Sequence, residues 1–237
     1  MSEKLKKEIS TWVVVIIVVL ILRAIFVQAY VIPTGSMEKT LLIGDALLVN
    51  RFIYGIKIPV PFSDHQISLI PGRYPNRGEI IVFQYPFENR DFVKRCVAIE
   101  GDTVEIINKK LHVNGKELLE PYIWHQDRRT FRGANYDREL YQQKWERSEL
   151  PDIFGYQVRD NFGPIIVPKD YIFVMGDNRD NSMDSRFWGP LHKKFLKGKP
   201  LFIYFSFDPG GEASSILDIL KVWQWKEIRL TRIGKVT

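Results

Sequence analysis

Three short stretches hold side chains whose types and spacing could carry chemistry. The first is Pro33-Thr34-Gly35-Ser36-Met37-Glu38. Gly35 has no Cβ, so another backbone can approach beside Ser36, and Thr34 projects to the same side if the segment is extended. Two hydroxyls and the Ser36 N–H would then surround one point. Attack on a carbonyl needs that grouping, a nucleophilic oxygen with donors waiting for the developing oxyanion. Taken alone, such a tripeptide is more often a simple turn.

The second stretch runs from Asp91 to Ile99 and on to Gly101-Asp102. At strand period two, Phe92, Lys94, Cys96 and Ala98 share one face and Val93, Arg95, Val97 and Ile99 the other. Lys94 then points into an apolar layer. An unpaired buried ammonium tends to release its proton, and a fall from ~10.4 toward neutrality is worth roughly 4–5 kcal/mol. A lysine so placed can act as a general base, whereas Arg95 cannot, because guanidinium stays protonated in proteins. The bland reading is a strand-edge lysine reaching solvent.

The third stretch is Met175 to Arg186, closing with Trp188-Gly189-Pro190. Its alternating acids, arginines and small polar groups read as a loop braced by Asx turns and arginine–carboxylate bonds. A calcium loop competes, but the glycine and terminal glutamate of such loops are absent at ligand spacing. A purely structural loop is the other alternative.

The elements that must position these groups begin with Lys4, Lys6 and Lys7. They precede Trp12 to Ile32, whose only charge is Arg23. As helix, that segment is roughly 31 Å long, one bilayer crossing, with Trp12 and Tyr30 as interface anchors and the basic end in the cytoplasm. The uninterrupted run Trp12 to Leu22 also fits a cleavable secretory signal. Beyond Pro33, segments such as ALLVN, EIIVFQYP, YIFVMGDN, LFIYFSFD and IRLTRIGKVT read as strands. Asn114-Gly115 marks a hairpin. Residues from Trp124 to about Leu150 are polar with little periodicity and read as a solvated insertion. LFIYFSFD and Val222 to Trp225 fit either core packing or a surface in the membrane interface.

The chain has 237 residues, 34 Lys and Arg against 28 Asp and Glu, and a net charge of +6, which suits nucleic acid or an anionic membrane surface. Interleaved acids argue against a nucleic-acid patch. The single cysteine, Cys96, excludes an intrachain disulfide, and four scattered histidines lack metal-ligand spacing. No metal and no cofactor are expected.

In this order, PTGSMEKTL (33–41), GDALLVNRFIYG (44–55), VKRCVAIEGD (93–102) and GDNRDNSMDSRFWGPL (176–191) resemble bacterial type I signal peptidases, and RLTRIGKV is similar to that family's closing strand. The resemblance implies a Ser–Lys dyad with Ser36 as nucleophile and Lys94 as neutral general base. It implies an oxyanion hole from the Thr34 hydroxyl and the Ser36 N–H, Ser182 orienting Lys94, and Asp184 paired with Arg186. Lys39 stands where that family commonly has proline, and Cys96, Ala98 and Glu100 depart from its usual lysine motif.

The expected fold is mainly β, a transmembrane helix followed by a catalytic domain of coiled antiparallel sheets with an inserted smaller subdomain. The expected organisation is a cytoplasmic 1–10, an anchor 11–32, a core of 33–107 and 167–237, and an insertion 108–166. The implied activity is removal of signal peptides with Ala-x-Ala type sites from exported preproteins, by a monomer. It would sit in the bacterial cytoplasmic (inner) membrane, its catalytic domain on the extracytoplasmic side. A tethered binding protein with a degenerate site, a processing enzyme for pilin-like substrates and a self-cleaving Ser–Lys regulator are the rivals. The last would need a helix-turn-helix region, which is not seen.

Overall fold

The computed structural model describes residues 3–59, 66–133, 135–210, 225–234 and 236. Helix α1 (Glu3–Phe26) passes directly into strand β1 (Val27–Val31). The expected continuous helix over 11–32 therefore stops at Phe26. Val27, Tyr30 and Val31 favour extended backbone, and β1 pairs antiparallel with β2 (Asp45–Asn50), Val27 opposite Asn50 and Val31 opposite Ala46. Among the described residues no helix is long and apolar enough to cross a membrane.

Strands β3 (Gly55–Pro59) and β4 (Gln66–Pro71) form a separate ribbon. Next come β5 (Ile80–Gln84) and β6 (Asp91–Ile99), then the meander β7 (Thr103–Ile107), β8 (Lys110–Val113) and β9 (Lys116–Glu117). Asn114 and Gly115, at φ 55° and 74°, make the two-residue turn between β8 and β9, where both positions need positive φ. Three helices, α2 (Arg138–Glu146), α3 (Leu150–Phe154) and α4 (Gln157–Asp160), lead to β10 (Phe162–Ile166) and β11 (Tyr171–Met175). The chain closes with α5 (Ser185–Trp188), β12 (Leu191–His192), β13 (Leu196–Asp208) and β14 (Glu227–Ile228).

The large antiparallel sheet has the order β1-β2-β13-β5-β6-β11-β12, with β14 on β13. Strand β13 joins its two halves, pairing with β5 through Leu196 and Gly198 and with β2 from Lys199 to Ser206, with register shifts on both sides. Such irregularities bend and twist a strand, so the sheet curls around its core. Gly198 permits the crossing, since a Cβ there would lie 2.5 Å from the Asn50 carbonyl oxygen. The small sheet, β10-β7-β8-β9, begins at Thr103, inside the stretch that the sequence assigns to the core.

The polar insertion is more ordered than its sequence suggests. Asp137 caps α2 by accepting from the Leu140 N–H at 2.9 Å, and the helix buries Tyr141 and Trp145, four residues apart on one face. Trp145 stacks on Phe173 at 5.7 Å and donates its indole N–H to the Ser185 carbonyl at 2.7 Å. Two aromatics in nine residues give too weak a period to stand out among charges. The closing RLTRIGKV is not a strand. Among the described residues of this end only Glu227–Ile228 pairs, and Leu230–Arg232 forms a 3-10 turn that brings Arg232 within 2.6 Å of the buried Asp45. Trp225 packs on Phe205 and Phe207 at 5.4 and 5.0 Å, whereas Val222, Trp223 and Gln224 lie outside the described residues.

Trp145 thus clasps the insertion to the segment that follows β11. Trp145→Ala is expected to lower unfolding free energy by ~3–5 kcal/mol in chemical denaturation. Leu140→Ala, on the exposed face of α2, should change it by less than ~0.5 kcal/mol. Equal effects of the two would remove the clasp.

Candidate active site

Beyond β1 the chain stays extended through Thr34 (φ −134°, ψ 156°) and then tightens into a 3-10 turn, Gly35–Met37. The strand alternation expected to align Thr34 with Ser36 is therefore lost, because the Glu38 N–H closes the turn on the Gly35 carbonyl at 3.1 Å. What holds the turn is apolar. Met37 and Leu41, 1% and 0% exposed, plug into a cluster with Ile32, Leu47, Val82 and Ile203. Ser36 is left half-buried at the surface of that cluster.

Lys94 comes from the middle of β6, opposite Ile81 of β5, and is 4% exposed. Its Nζ and the Ser36 Oγ are hydrogen-bonded at 2.5 Å. The Phe92 ring lies 5.5 Å from the amine, and no carboxylate forms an ion pair with it among the described residues. Burial is the main influence on its proton and works against the charged form. The Asp184 charge opposes that, Arg186 reinforces it and Asp177 opposes it; the outcome is a pKa pushed down to about 8. The period-two pattern of β6 holds up to Cys96 and breaks at Val97, which is skipped where Val174 pairs with Cys96 and Phe173 with Ala98. Thr34, Ser36 and Lys94 line one cleft of about 1050 Å³.

The third stretch forms the wall behind the nucleophile turn. The Asn178 N–H donates to the Ser36 carbonyl at 3.1 Å, and the Asn178 amide donates to the Gly35 carbonyl at 3.3 Å. Asp177, fully buried, accepts from Arg95 Nε at 2.9 Å and Nη2 at 2.6 Å, and from the Thr40 hydroxyl at 2.5 Å. Gly176 must be glycine, since a Cβ would lie 2.3 Å from Ser182 Oγ and 2.4 Å from the Ser36 carbonyl oxygen. Asp184 and Arg186 pair twice at 2.8 Å, and Arg186 also donates to the Arg159 and Arg179 carbonyls. Burial pushes the Asp184 carboxyl up, but the charge and hydrogen bonds of Arg186, with the Gly176 N–H, more than offset this and hold it below its usual value. Asp180 meets Lys109 at 3.0 Å and His125 at 3.3 Å, which ties the insertion to this wall. These acids are bound to arginine, lysine and backbone N–H groups, and no metal-holding cluster occurs among the described residues.

Thr34, Ser36 and Lys94 are thus gathered in one cleft, and Asp184 and Arg186 pair beside it. Ser182 lies against Gly176 with its Oγ buried, and no hydrogen bond joins it to Lys94. Glu100 points away from the site and pairs with Lys193 at 2.8 Å. Lys39 takes a left-handed φ of 74°, which a proline ring cannot reach, so the departure from the family's proline changes the turn itself. Sequence reasoning missed Asp177, Asn178, Thr40 and Glu38. The signal for Asp177 was available: an arginine at strand position 95 beside a buried lysine needs a carboxylate partner.

Two outcomes follow. Because the folded pKa of Lys94 lies below its unfolded value, the folded state binds fewer protons between about pH 8 and 10.5, and wild-type stability rises across that window. Lys94→Met should abolish that slope and stabilise the protein by ~3 kcal/mol at pH 7, read by denaturant melts across pH. Asp177→Asn should cost ~3–5 kcal/mol by stranding Arg95, and an unchanged midpoint would show that the pair carries no weight.

Comparison with known proteins shows the family. Residues 5–205 match the family described as signal peptidase, peptidase S26. Signal peptidase I of Pseudomonas aeruginosa is 38% identical over 190 residues, 78% of this chain and 63% of that protein. The aligned stretch therefore spans less than two thirds of that relative. Signal peptidase I of Aquifex aeolicus is 35% identical over 85% of each chain, and that of Buchnera aphidicola subsp. Baizongia pistaciae 32% identical over 99% of this chain and 84% of its own. With a serine and a buried lysine in hydrogen-bond contact inside the matched region, the chain belongs to the signal peptidase family, peptidase S26.

Proposed function

We propose that this protein is a serine endopeptidase that removes N-terminal signal peptides from exported preproteins, with Ser36 as nucleophile and Lys94 as general base. The observation that carries the reading is the 2.5 Å contact between Ser36 Oγ and a lysine amine that burial inclines toward neutrality. In the first half-reaction the lone pair of Lys94 Nζ takes the Ser36 proton as Oγ bonds to the scissile carbonyl carbon. The C–N bond then breaks, and the proton passes from Nζ to the departing amine. In the second half Nζ takes a proton from water, the hydroxide attacks the ester carbon, and Ser36 recovers its proton as the carboxylate leaves. No cofactor enters either half.

The oxyanion would be held by the Ser36 N–H and by the hydroxyl of Thr34, which lines the same cleft. Ser182 packs against Gly176 on the side that faces the Ser36 carbonyl, and Asp184 with Arg186 keeps the wall rigid. An extended substrate adds to the free edge of β1, and small residues preceding the cut fit shallow pockets near Ser36, which gives an Ala-x-Ala preference by exclusion. Helix α1 is read as the membrane attachment from its sequence, in which residues 12–26 hold one charge, Arg23, and lysines precede them. The catalytic part would then face the outer side of the bacterial cytoplasmic membrane, close to the lipid from which its substrates emerge. The protein is proposed to act as a monomer.

The test is reconstitution in vesicles with an exported precursor. Ser36→Ala and Lys94→Arg should each cut turnover by at least ~10³-fold while folding persists. Wild-type kcat/KM should rise with pH and level off above about 8, as Lys94 loses its proton. A flat profile between about pH 5 and 9 would count against Lys94 as the base.

A further inference from the structure

We infer that Glu38 selects for positive charge in the first residues of the mature chain, the part of the substrate beyond the scissile bond; the inference rests on the peptidase reading above. Glu38 lines the same cleft as Ser36 and follows it by two residues, its N–H fixed to the Gly35 carbonyl at 3.1 Å. Its Oε2 accepts from the Asn178 side-chain amide and from the Gln126 side-chain amide, each at 3.1 Å. Both donors are neutral. They fix the carboxylate in place without cancelling its charge, and no lysine or arginine pairs with it among the described residues.

The other charges around the cleft are differently placed. Asp91 is paired with Lys197 at 2.7 Å, and Arg90 leans toward Glu88 at 3.7 Å. Arg229 donates to the Ile43 carbonyl at 2.7 Å and to that of Phe207 at 2.5 Å, and Asp208 accepts from the Gly210 N–H at 2.8 Å. Lys39, the neighbour of Glu38, lies with its amine 3.9 Å from the Trp124 ring centroid. Glu38 is the cleft-lining carboxylate nearest Ser36 along the chain, and its hydrogen-bond partners are neutral, so its charge is felt beside the nucleophile.

Direction comes from chain order. Among the described residues β1 ends one side of the large sheet and follows α1 without a linker, so a peptide leaving the bilayer beside α1 meets β1 first. The signal portion then lies along β1 and reaches Ser36, and the mature portion continues past the nucleophile to Glu38, Asn181 and Met183. A fixed, uncompensated carboxylate there attracts lysine or arginine and repels aspartate or glutamate.

The experiment uses the full-length protein in vesicles and three preproteins that differ only in Lys, Gln or Asp at the second residue after the cut. Wild-type kcat/KM should follow Lys, Gln, Asp in descending order with a total spread of ~5-fold or more, shrinking below ~2-fold in high salt. Glu38→Gln should collapse the spread at low salt, and Glu38→Lys should invert it. The spread is a ratio within one enzyme, so any general loss of activity divides out. If the variants do not fold, the salt series on wild type decides. An unordered wild-type series, or one that Glu38→Gln leaves intact, overturns the inference while the peptidase reading stands. Failure to cut all three substrates overturns both.

Discussion

The structure depends on one amine kept from water beside one hydroxyl. A lysine at 4% exposure with no ion-pair partner among the described residues is an unfavourable thing to build, and the protein builds it within a nine-residue strand. Central strands are where the backbone is least free to yield. Pairing with β5 on one side and β11 on the other fixes where Cα of Lys94 lies, so the amine cannot escape to solvent by local fraying. Ser36, by contrast, is on a turn, and its position is secured from beneath by Met37 and Leu41 and from behind by Asn178. A rigid base and a turn clamped at two points give a fixed distance, which is what proton transfer requires.

The sequence made some of this legible and hid the rest for physical reasons. Residue types alone made Ser36 and Lys94 candidates and no more, since a hydroxyl after glycine is usually a turn and a strand lysine usually reaches solvent; the four motifs in order were what singled them out. The strands were legible where β-branched runs were long, as in Ile80–Gln84 and Tyr171–Met175. Helix α2 was not, since Tyr141 and Trp145 bury one narrow stripe of an otherwise charged segment. The end of α1 and the closing residues were misread for a shared reason. Val27–Val31 pairs with β2 and Arg232 turns toward Asp45, and both outcomes are set by partners distant in the chain. At Gly35–Met37 the sequence left extended and turn readings both open, because whether TGS is extended or 3-10 depends on what Met37 finds to bury it.

The polar third stretch also explains why the lysine amine is free to be neutral. Two carboxylates stand near Lys94, Asp184 and Asp177, and each works to restore its proton. Left alone, either would make Lys94 an ordinary ion pair and no base. Each instead has its own guanidinium, Asp184 with Arg186 at 2.8 Å and Asp177 with Arg95 at 2.6 Å. Bidentate pairs of this kind satisfy both oxygens and leave a weak field outside themselves. Arginine suits the task better than lysine, because it cannot hand over its own proton and so keeps the carboxylate neutralised at any working pH. Desolvation then decides the protonation of Lys94. On this argument the density of charge in GDNRDNSMDSR is a means of removing electrostatics from the amine, and a brace for the backbone comes with it, since the same guanidiniums bind the carbonyls of Gly78, Arg159 and Arg179.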